Sequence, residues 1–327
     1  MKVLLIGKTG SIIRWVEDMA DDLRIGGHTV SVLSTRNPLL GKQLQKMLLS
    51  PIIRAPLATR LVGMVKRIAP DLVLVIGAFD HAPKNVLEHL ARAPGRPPLA
   101  AWIGDTFTAE IRHEADLFDL IAYTDTGLKE CHDQFGFCAA SAFVPLAATR
   151  AFRSAASESG HVDRLAFVGA ATPNRLDLLM ELKEPVTLFG PDWRKQGGML
   201  QHERKPRRIG ARELSDIYAR HLAVLNIRHG VNVINGLNQR HFAPYVQGTP
   251  AVTDAQPDLA HCFEIGTEIL VYHDPAELDS LSAKLRRDPG WATAVGQAGR
   301  KRVLAHHTYN QRLATIAAAC GIRVTSV

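Results

Sequence analysis

The sequence predicts an α/β protein made of two doubly wound, parallel halves, and three observations carry that expectation. Short apolar runs bounded by glycine or a turn recur along the chain, helix-period segments separate them, and one stretch without periodicity divides the series near its middle. With 327 residues there is chain enough for two domains with separate cores, and 46% apolar with 22% charged residues is the composition of a soluble globular protein.

Val3 to Ile6 is a continuous apolar run closed by Gly7, as in a strand buried on both faces. Gly7-Lys8-Thr9-Gly10-Ser11 then turns into a helix with apolar Ile12, Ile13, Val16, Met19, Ala20 and Leu23. Strand, Gly-rich turn and helix in this order open a Rossmann-like unit, whose helix start offers free backbone N–H groups to an anion. Lys8, Thr9 and Gly10 are therefore candidates for a ligand site, against the plainer reading of a tight strand-to-helix turn. The run lacks a full G-x-x-x-x-G-K-[ST] loop, so no P-loop ATPase follows. Thr29 to Leu33, Asp71 to Ile76, Leu99 to Ile103 and Leu120 to Tyr123 read as further strands, making five, with a helical pattern over 39 to 69 broken at Pro51 and Pro56. Asp80 and His81 follow the third strand, and Asp105 follows the fourth.

Residues 145 to 164 lose periodicity and gain Ala, Ser and charge, which places the linker near 150 to 160 and the domains at 1–155 and 156–305, with a C-terminal helix and tail at 306–327. The second series begins at Leu165 to Val168, followed by Gly169 and a helix opened by Asn174 and Arg175. Val186 to Phe189 precedes Gly190-Pro191-Asp192-Trp193, and His221 to Ile227 is the next strand. From Asn238 to Tyr272 come a short helix (to Gln247), a Gly-Thr-Pro turn into the strand Pro250 to Thr253, and an acidic loop ending in the strand Glu268 to Tyr272. Loops after strand ends are where open α/β sheets bind ligands, so this stretch is expected to hold a nucleotide-sized site. A helix from about Trp291 ends the chain.

The run Asn238 to Arg312 contains N-x-R-x-F, G-T-P-A-V-T-D, D-L-x-x-x-F-E-x-G-x-E-I-L-V-Y, D-P-A-E-L, A-G-R-K-R-V and H-T-Y-x-x-R. It resembles the C-terminal half of the CgeB-like (spore-maturation-type) group 1 glycosyltransferases, and FVGAATPNR, LFGPDW and AWIGDT extend the likeness more weakly over most of the rest. The resemblance implies a GT-B fold, two Rossmann-like domains facing a cleft and locked by a C-terminal crossover helix. It also implies transfer of a sugar from a nucleotide diphosphate donor to an acceptor that the sequence leaves open: glycan, lipid-linked, protein or small molecule. The family pattern reads Phe-Glu after the arginine, whereas Ala243 follows Phe242 here. The missing Glu corresponds to a donor-contacting residue in related enzymes, so another carboxylate substitutes, the donor differs, or catalysis is weak. A catalytically reduced GT-B nucleotide-binding or scaffold protein, and a nucleotide-sugar epimerase, therefore stand as alternatives.

On this reading Arg240 pairs with the diphosphate through its planar fork. Asn238 opens the same segment, and Gly169, Asn174 and Arg175 lie at a strand end and helix start where an anion is favoured. Phe189 and Gly190 present main-chain atoms to the base. Asp254, Glu264 or Glu268 accepts hydroxyl groups of the sugar or ribose. Asp105 is the candidate general base of an inverting mechanism, with a helix cap as its plainer reading, while Asp80 and His81 are second choices on the acceptor side. No cofactor and no metal are expected: D-x-D is missing, and the adjacent His306 and His307 of a helix point apart.

The net charge of +7 lies in scattered clusters, Arg204 to Arg208, Lys284 to Arg287 and Arg300 to Arg302, without an RNA-binding signature. Nucleic acid is therefore not an expected partner, whereas a diphosphate or an anionic membrane surface is. No run reaches the ~18 apolar residues of a membrane span, the start does not read as a signal peptide, and Cys131, Cys138, Cys262 and Cys320 form no C-x-x-C pair. A reducing, cytoplasmic setting is the expectation.

Overall fold

The computed structural model describes residues 1–10, 14–35, 61–78, 84–151, 160–195, 201–231 and 233–323. The chain divides into two compact units, one made of Met1–Pro145 with Tyr309–Val327 and the other of Leu146–Thr308. The sequence had placed the linker later, at 150 to 160, because the loss of periodicity extends past the point where the chain changes unit.

The first unit is a six-stranded parallel sheet of β1 (Lys2–Gly7), β2 (Thr29–Ser34), β3 (Leu72–Gly77), β4 (Leu99–Ile103), β5 (Leu120–Tyr123) and β6 (Ala140–Phe143), in the order β2-β1-β3-β4-β5-β6. In the second, β7 (Val162–Val168), β8 (Val186–Phe189), β9 (Glu203–Lys205), β10 (His221–Asn226), β11 (Ala251–Asp254) and β12 (Leu270–Tyr272) form a parallel sheet ordered β12-β11-β10-β7-β8-β9. The central strands β3, β4 and β10 are buried at every position, so helices cover both faces and the strands read as unbroken apolar runs. The edge strands β6 and β9 do not read that way. Ala-Ser-Ala-Phe and Glu-Arg-Lys are half-exposed or charged, as edges that resist further pairing are, and neither was predicted from the sequence.

Two other expectations are corrected. Asn238 to Gln247 is not one helix but two 3₁₀ turns, Gln239–His241 and Ala243–Gln247, because Pro244 has no N–H with which to continue an α-helical ladder. The last helix is broken in two, Pro289–His306 and Tyr309–Ala319. The second piece belongs to the first unit. Its Tyr309 ring is fully buried, edge-on to Trp102 at 5.9 Å. Asn310 N–H donates to Asp22 at 3.0 Å, and Arg312 Nε donates to Pro145 O at 2.7 Å. Among the described residues no helix is long and apolar enough to cross a membrane.

Candidate functional site

In the second sheet β8 and β9 lie on one side of β7, and β10 to β12 on the other. Strand order therefore reverses between β7 and β10, and a doubly wound sheet gathers ligands at the C-terminal ends of such a pair, here Val168 and Asn226. Arg240 bridges these ends: its Nε donates to Asn226 Oδ1 at 2.8 Å and its Nη1 to Val168 O at 3.4 Å. The residue is set there by its own turn, in which Asn238 Oδ1 accepts the Arg240 N–H at 2.9 Å as an N-cap.

Asn226, fully buried, connects this turn to the sheet. Its Oδ1 also accepts from Asn238 Nδ2 at 2.9 Å, while its Nδ2 donates to Thr253 Oγ1 at 3.0 Å and faces His241 Nε2 at 3.1 Å. Because Arg Nε can only donate, the atom facing it is the amide oxygen, which makes the Asn226 nitrogen the atom facing His241. His241 Nε2 is then the acceptor, and its Nδ1 lies 3.1 Å from both the backbone N and the O of Asn238. Burial suits this neutral form, pushing the imidazole down to about 3.

Arg175, on the helix Pro173–Glu181, is 2% exposed. Its Nε and Nη2 donate to Ile227 O at 3.2 and 2.9 Å, and Nη1 to Ala170 O at 3.0 Å. The Phe167 ring lies under both guanidinium groups, 5.2 Å from Arg175 and 5.9 Å from Arg240. Every acceptor on the two arginines is neutral, and among the described residues neither has a carboxylate within ion-pairing distance. Burial lowers both groups, Arg175 to about 10, and the Arg240 charge also pushes Arg175 down.

The remaining predicted residues fall into different places. Asp254 ends β11, and its Oδ1 accepts the Arg228 N–H at 3.2 Å and Gln256 Nε2 at 3.2 Å, with Arg228 Nε 3.5 Å from Oδ2. Burial raises this carboxyl against those stabilising contacts. Asn174 is exposed, donating to Arg228 O at 3.0 Å and accepting from Thr172 Oγ1 at 2.7 Å. The helix cap is Thr172 and not Asn174. Gly190 has φ +146, and a Cβ there would lie 2.5 Å from Gly169 O, so the turns after β7 and β8 touch backbone to backbone. Trp193 Nε1 donates to that same Gly169 O at 2.9 Å, and Phe189 is buried edge-on to His221. Gly169, Phe189 and Gly190 are thus joined through their backbones and packed by Trp193 and His221.

Glu264 is exposed, and Glu268 is engaged elsewhere: both its oxygens accept from Arg302 Nε, at 3.0 and 2.8 Å, and one accepts the Glu264 N–H at 2.8 Å. It shares no hydrogen bond with the Asn226 network.

In the first unit Thr9 Oγ1 and Ser34 Oγ are 2.6 Å apart, and the Gly10 N–H donates to Glu17 Oε1 at 2.6 Å; Lys8 is exposed. The turn expected to receive an anion thus already holds one of the chain's own carboxylates. Asp105 is exposed behind Gly104, where a Cβ would meet Trp15 and Thr124 at 3.1 Å. The next helical turn is Ala109–Ile111 with Thr108 as its N-cap, so Asp105 does not cap it. Asp80 and His81 lie outside the described residues. Among the described residues no group of three or more His, Cys, Asp or Glu has a metal-binding arrangement.

Sequence reasoning passed over Asn226, Arg228, His241, Thr253 and Gln256. One signal was available, since Asn226 is a polar residue ending an otherwise apolar strand, HLAVLN.

Residues 167–318 match the sequence model of a family described as glycosyl transferase-like. No curated protein matches the sequence. Among solved structures, HepE of Anabaena in complex with UDP superposes with a TM-score of 0.65 at 13% identity, over 98% of this chain and 100% of that one. Sucrose-phosphate synthase of Thermosynechococcus elongatus gives 0.68 at 11%, over 97% and 98%. A glycosyltransferase of Rickettsia africae gives 0.69 at 8%, over 98% and 97%. Over residues 167–318 the chain therefore carries a glycosyl transferase-like sequence, set on the two-sheet GT-B fold of such enzymes.

Proposed function

We propose that the protein transfers a sugar from a nucleoside diphosphate donor, held at the β7/β10 edge of the second unit, to a hydroxyl-bearing acceptor on the first. The observation that carries this is the pair Arg175 and Arg240, two guanidinium groups over one ring with neutral acceptors only. Such a pair is costly in isolation and suits a ligand that brings two negative charges. Arg240 grips the diphosphate, Arg175 and Asn174 line the same edge, and Asn238 holds the turn. Asp254 accepts ribose or sugar hydroxyls, and the Gly169, Phe189 and Gly190 backbone bounds the base. HepE, with the same fold, is bound to UDP and to UDP-glucose in its structures, which favours a nucleotide sugar here too.

Asp105 is the proposed base: it takes the acceptor's proton as that oxygen attacks the anomeric carbon, and the nucleoside diphosphate leaves with the bonding pair. Lys8, Thr9 and Gly10 border this acceptor side. Trp15 Nε1, Glu17 Oε2 and Thr35 Oγ1, buried without hydrogen-bond partners among the described residues, favour a hydroxyl-rich acceptor there. The motifs from Asn238 to Arg312 favour the CgeB-like subgroup and a hexosyl donor. The exposed Arg204, Lys205, Arg207 and Arg208 favour contact with an anionic membrane at the cytoplasmic face.

A second reading is favoured by Ala243, which packs half-buried against the core where the family pattern has Glu: a nucleotide-binding protein with little catalysis. One experiment separates them. Incubating the protein with a panel of nucleotide sugars, with and without candidate acceptors, should release nucleoside diphosphate and form a glycosylated product; binding without release supports the second reading, and an isomerised sugar supports epimerisation.

A further inference from the structure

We infer that Asn226 is the positioning residue of the donor site, a buried neutral amide that aims the Arg240 guanidinium without neutralising it. The inference rests on the reading of that edge as a diphosphate site. Asn226 is 0% exposed and makes contacts in four directions, to Arg240, Asn238, Thr253 and His241. Neither end of the amide can rotate without breaking two of them. The guanidinium is thereby held by its Nε, and its outer nitrogens are left with one long bond, to Val168 O.

The choice of amide over carboxylate is the informative part. Elsewhere in the chain Arg112, Arg300 and Arg312 meet backbone carbonyls, whereas two arginines are held by carboxylates: Arg96 by Asp119 at 2.5 and 2.8 Å, Arg302 by Glu268 at 2.8 and 3.0 Å. Those cations are compensated internally. An aspartate at position 226 would accept the same two hydrogen bonds with nearly the same shape, yet it would form a buried ion pair and cancel the field that a diphosphate needs. Asn226 therefore orients the charge and keeps it available. His241 completes the arrangement, because only its neutral form can accept from the Asn226 nitrogen.

The test compares wild type, Asn226→Asp, Asn226→Ser and Arg240→Ala by calorimetry with UDP, GDP and inorganic pyrophosphate at low and high salt, alongside melting temperature. Asn226→Asp should fold and bind all three anions roughly 10- to 100-fold more weakly, the scale of one charge-assisted hydrogen bond. Its residual binding should lose most of its salt dependence, and in turnover assays the donor KM should rise with kcat nearly unchanged. Should that variant not fold, Asn226→Ser keeps neutrality but loses the aim, and should weaken binding about 2- to 10-fold. Wild-type affinity in folded Asn226→Asp, or in Asn226→Ser where Asp does not fold, overturns the inference. If Arg240→Ala then still weakens binding, the diphosphate site itself stands. If wild type binds none of the three anions, the reading of the site falls and the inference with it.

Discussion

The two units wind the same kind of sheet and then treat its C-terminal edge in opposite ways. In the first, the turn after β1 gives its Gly10 N–H to Glu17, so an internal carboxylate sits where a phosphate would. In the second, the edge between β7 and β10 carries Arg175 and Arg240, and the groups holding them are carbonyls and an amide. The topology creates an edge suited to anions in both cases. Side chains decide whether the protein or a ligand supplies the anion. On the proposed function, the second unit takes the diphosphate and the first takes an acceptor without that charge.

The largest effect that would sharpen this division lies in the first unit. If Asp105 removes the acceptor's proton, Asp105→Asn should lower turnover by about 10²- to 10⁴-fold, the range for a positioned base, with donor affinity and melting temperature unchanged. Steady-state turnover and a melting curve on the one variant suffice, and wild-type turnover would remove Asp105 from the mechanism.

The next effect lies in the second unit. Arg240→Ala should weaken nucleoside diphosphate binding by about 1.5 to 3 kcal/mol, as for a charged hydrogen bond, whereas Glu17→Gln should leave it unchanged. Titration calorimetry on both variants would break the comparison if Glu17→Gln altered donor affinity as much as Arg240→Ala.

Acid should separate the units as well. Burial lowers His202, His221 and His241 in the second unit, the last to about 3. A base whose folded pKa lies below its unfolded value stabilises fully above about 6.5, and its contribution is lost as pH falls toward the folded value. For His241 the loss is about 1.4 kcal/mol per pH unit inside that window. In the first unit His132 is lowered in the same way, but burial raises Asp18 to about 6; Asp254 of the second unit is raised as well, there against three lowered histidines. An acid raised on folding has the opposite sign: its contribution is present at low pH and lost as pH rises through 6, so acidification relieves the first unit there. Hydrogen exchange at pH 7 and pH 5, corrected for intrinsic rates, should show β7, β8, β10 and β11 losing protection before β1, β3 and β4. Equal loss in both sheets would contradict the assignment.

What could be read from the sequence follows from what kind of signal each feature leaves. The other ten strands left apolar runs, most of them covered on both faces; β6 and β9, two of the four edge strands, left none, because they are polar or small. Arg240 was legible through the N-x-R-x-F motif, and Asp254 through its place after a strand. Asn226 and His241 were not, since their meaning lies in contacts between β10, β11 and the Asn238 turn, which no local pattern records. Arg175 was legible as a cation at a helix start, but its burial against the carbonyls of Ile227 and Ala170 was not.

The smallest effect concerns a residue that both the motif and its acidity had marked for the donor. Glu268 sits in G-x-E-I-L-V-Y, and the sequence offers it, beside Asp254 and Glu264, as an acceptor for sugar or ribose hydroxyls. In the fold its carboxylate is 13% exposed and closed onto Arg302 of the helix Pro289–His306, and it also takes the Glu264 N–H. A group with both oxygens engaged has little acceptor capacity left for a ligand. Its work is to tie the loop before β12 to that helix, where Arg302 is still partly solvated, so the pair contributes little beyond a surface ion pair. Glu268→Gln should therefore lower stability by about 0.5 to 1 kcal/mol, read as a small shift in denaturant midpoint, and leave nucleotide-sugar KM where it was. A raised donor KM at undiminished stability would return Glu268 to the site and place a second carboxylate beside Asp254 in the recognition of the sugar.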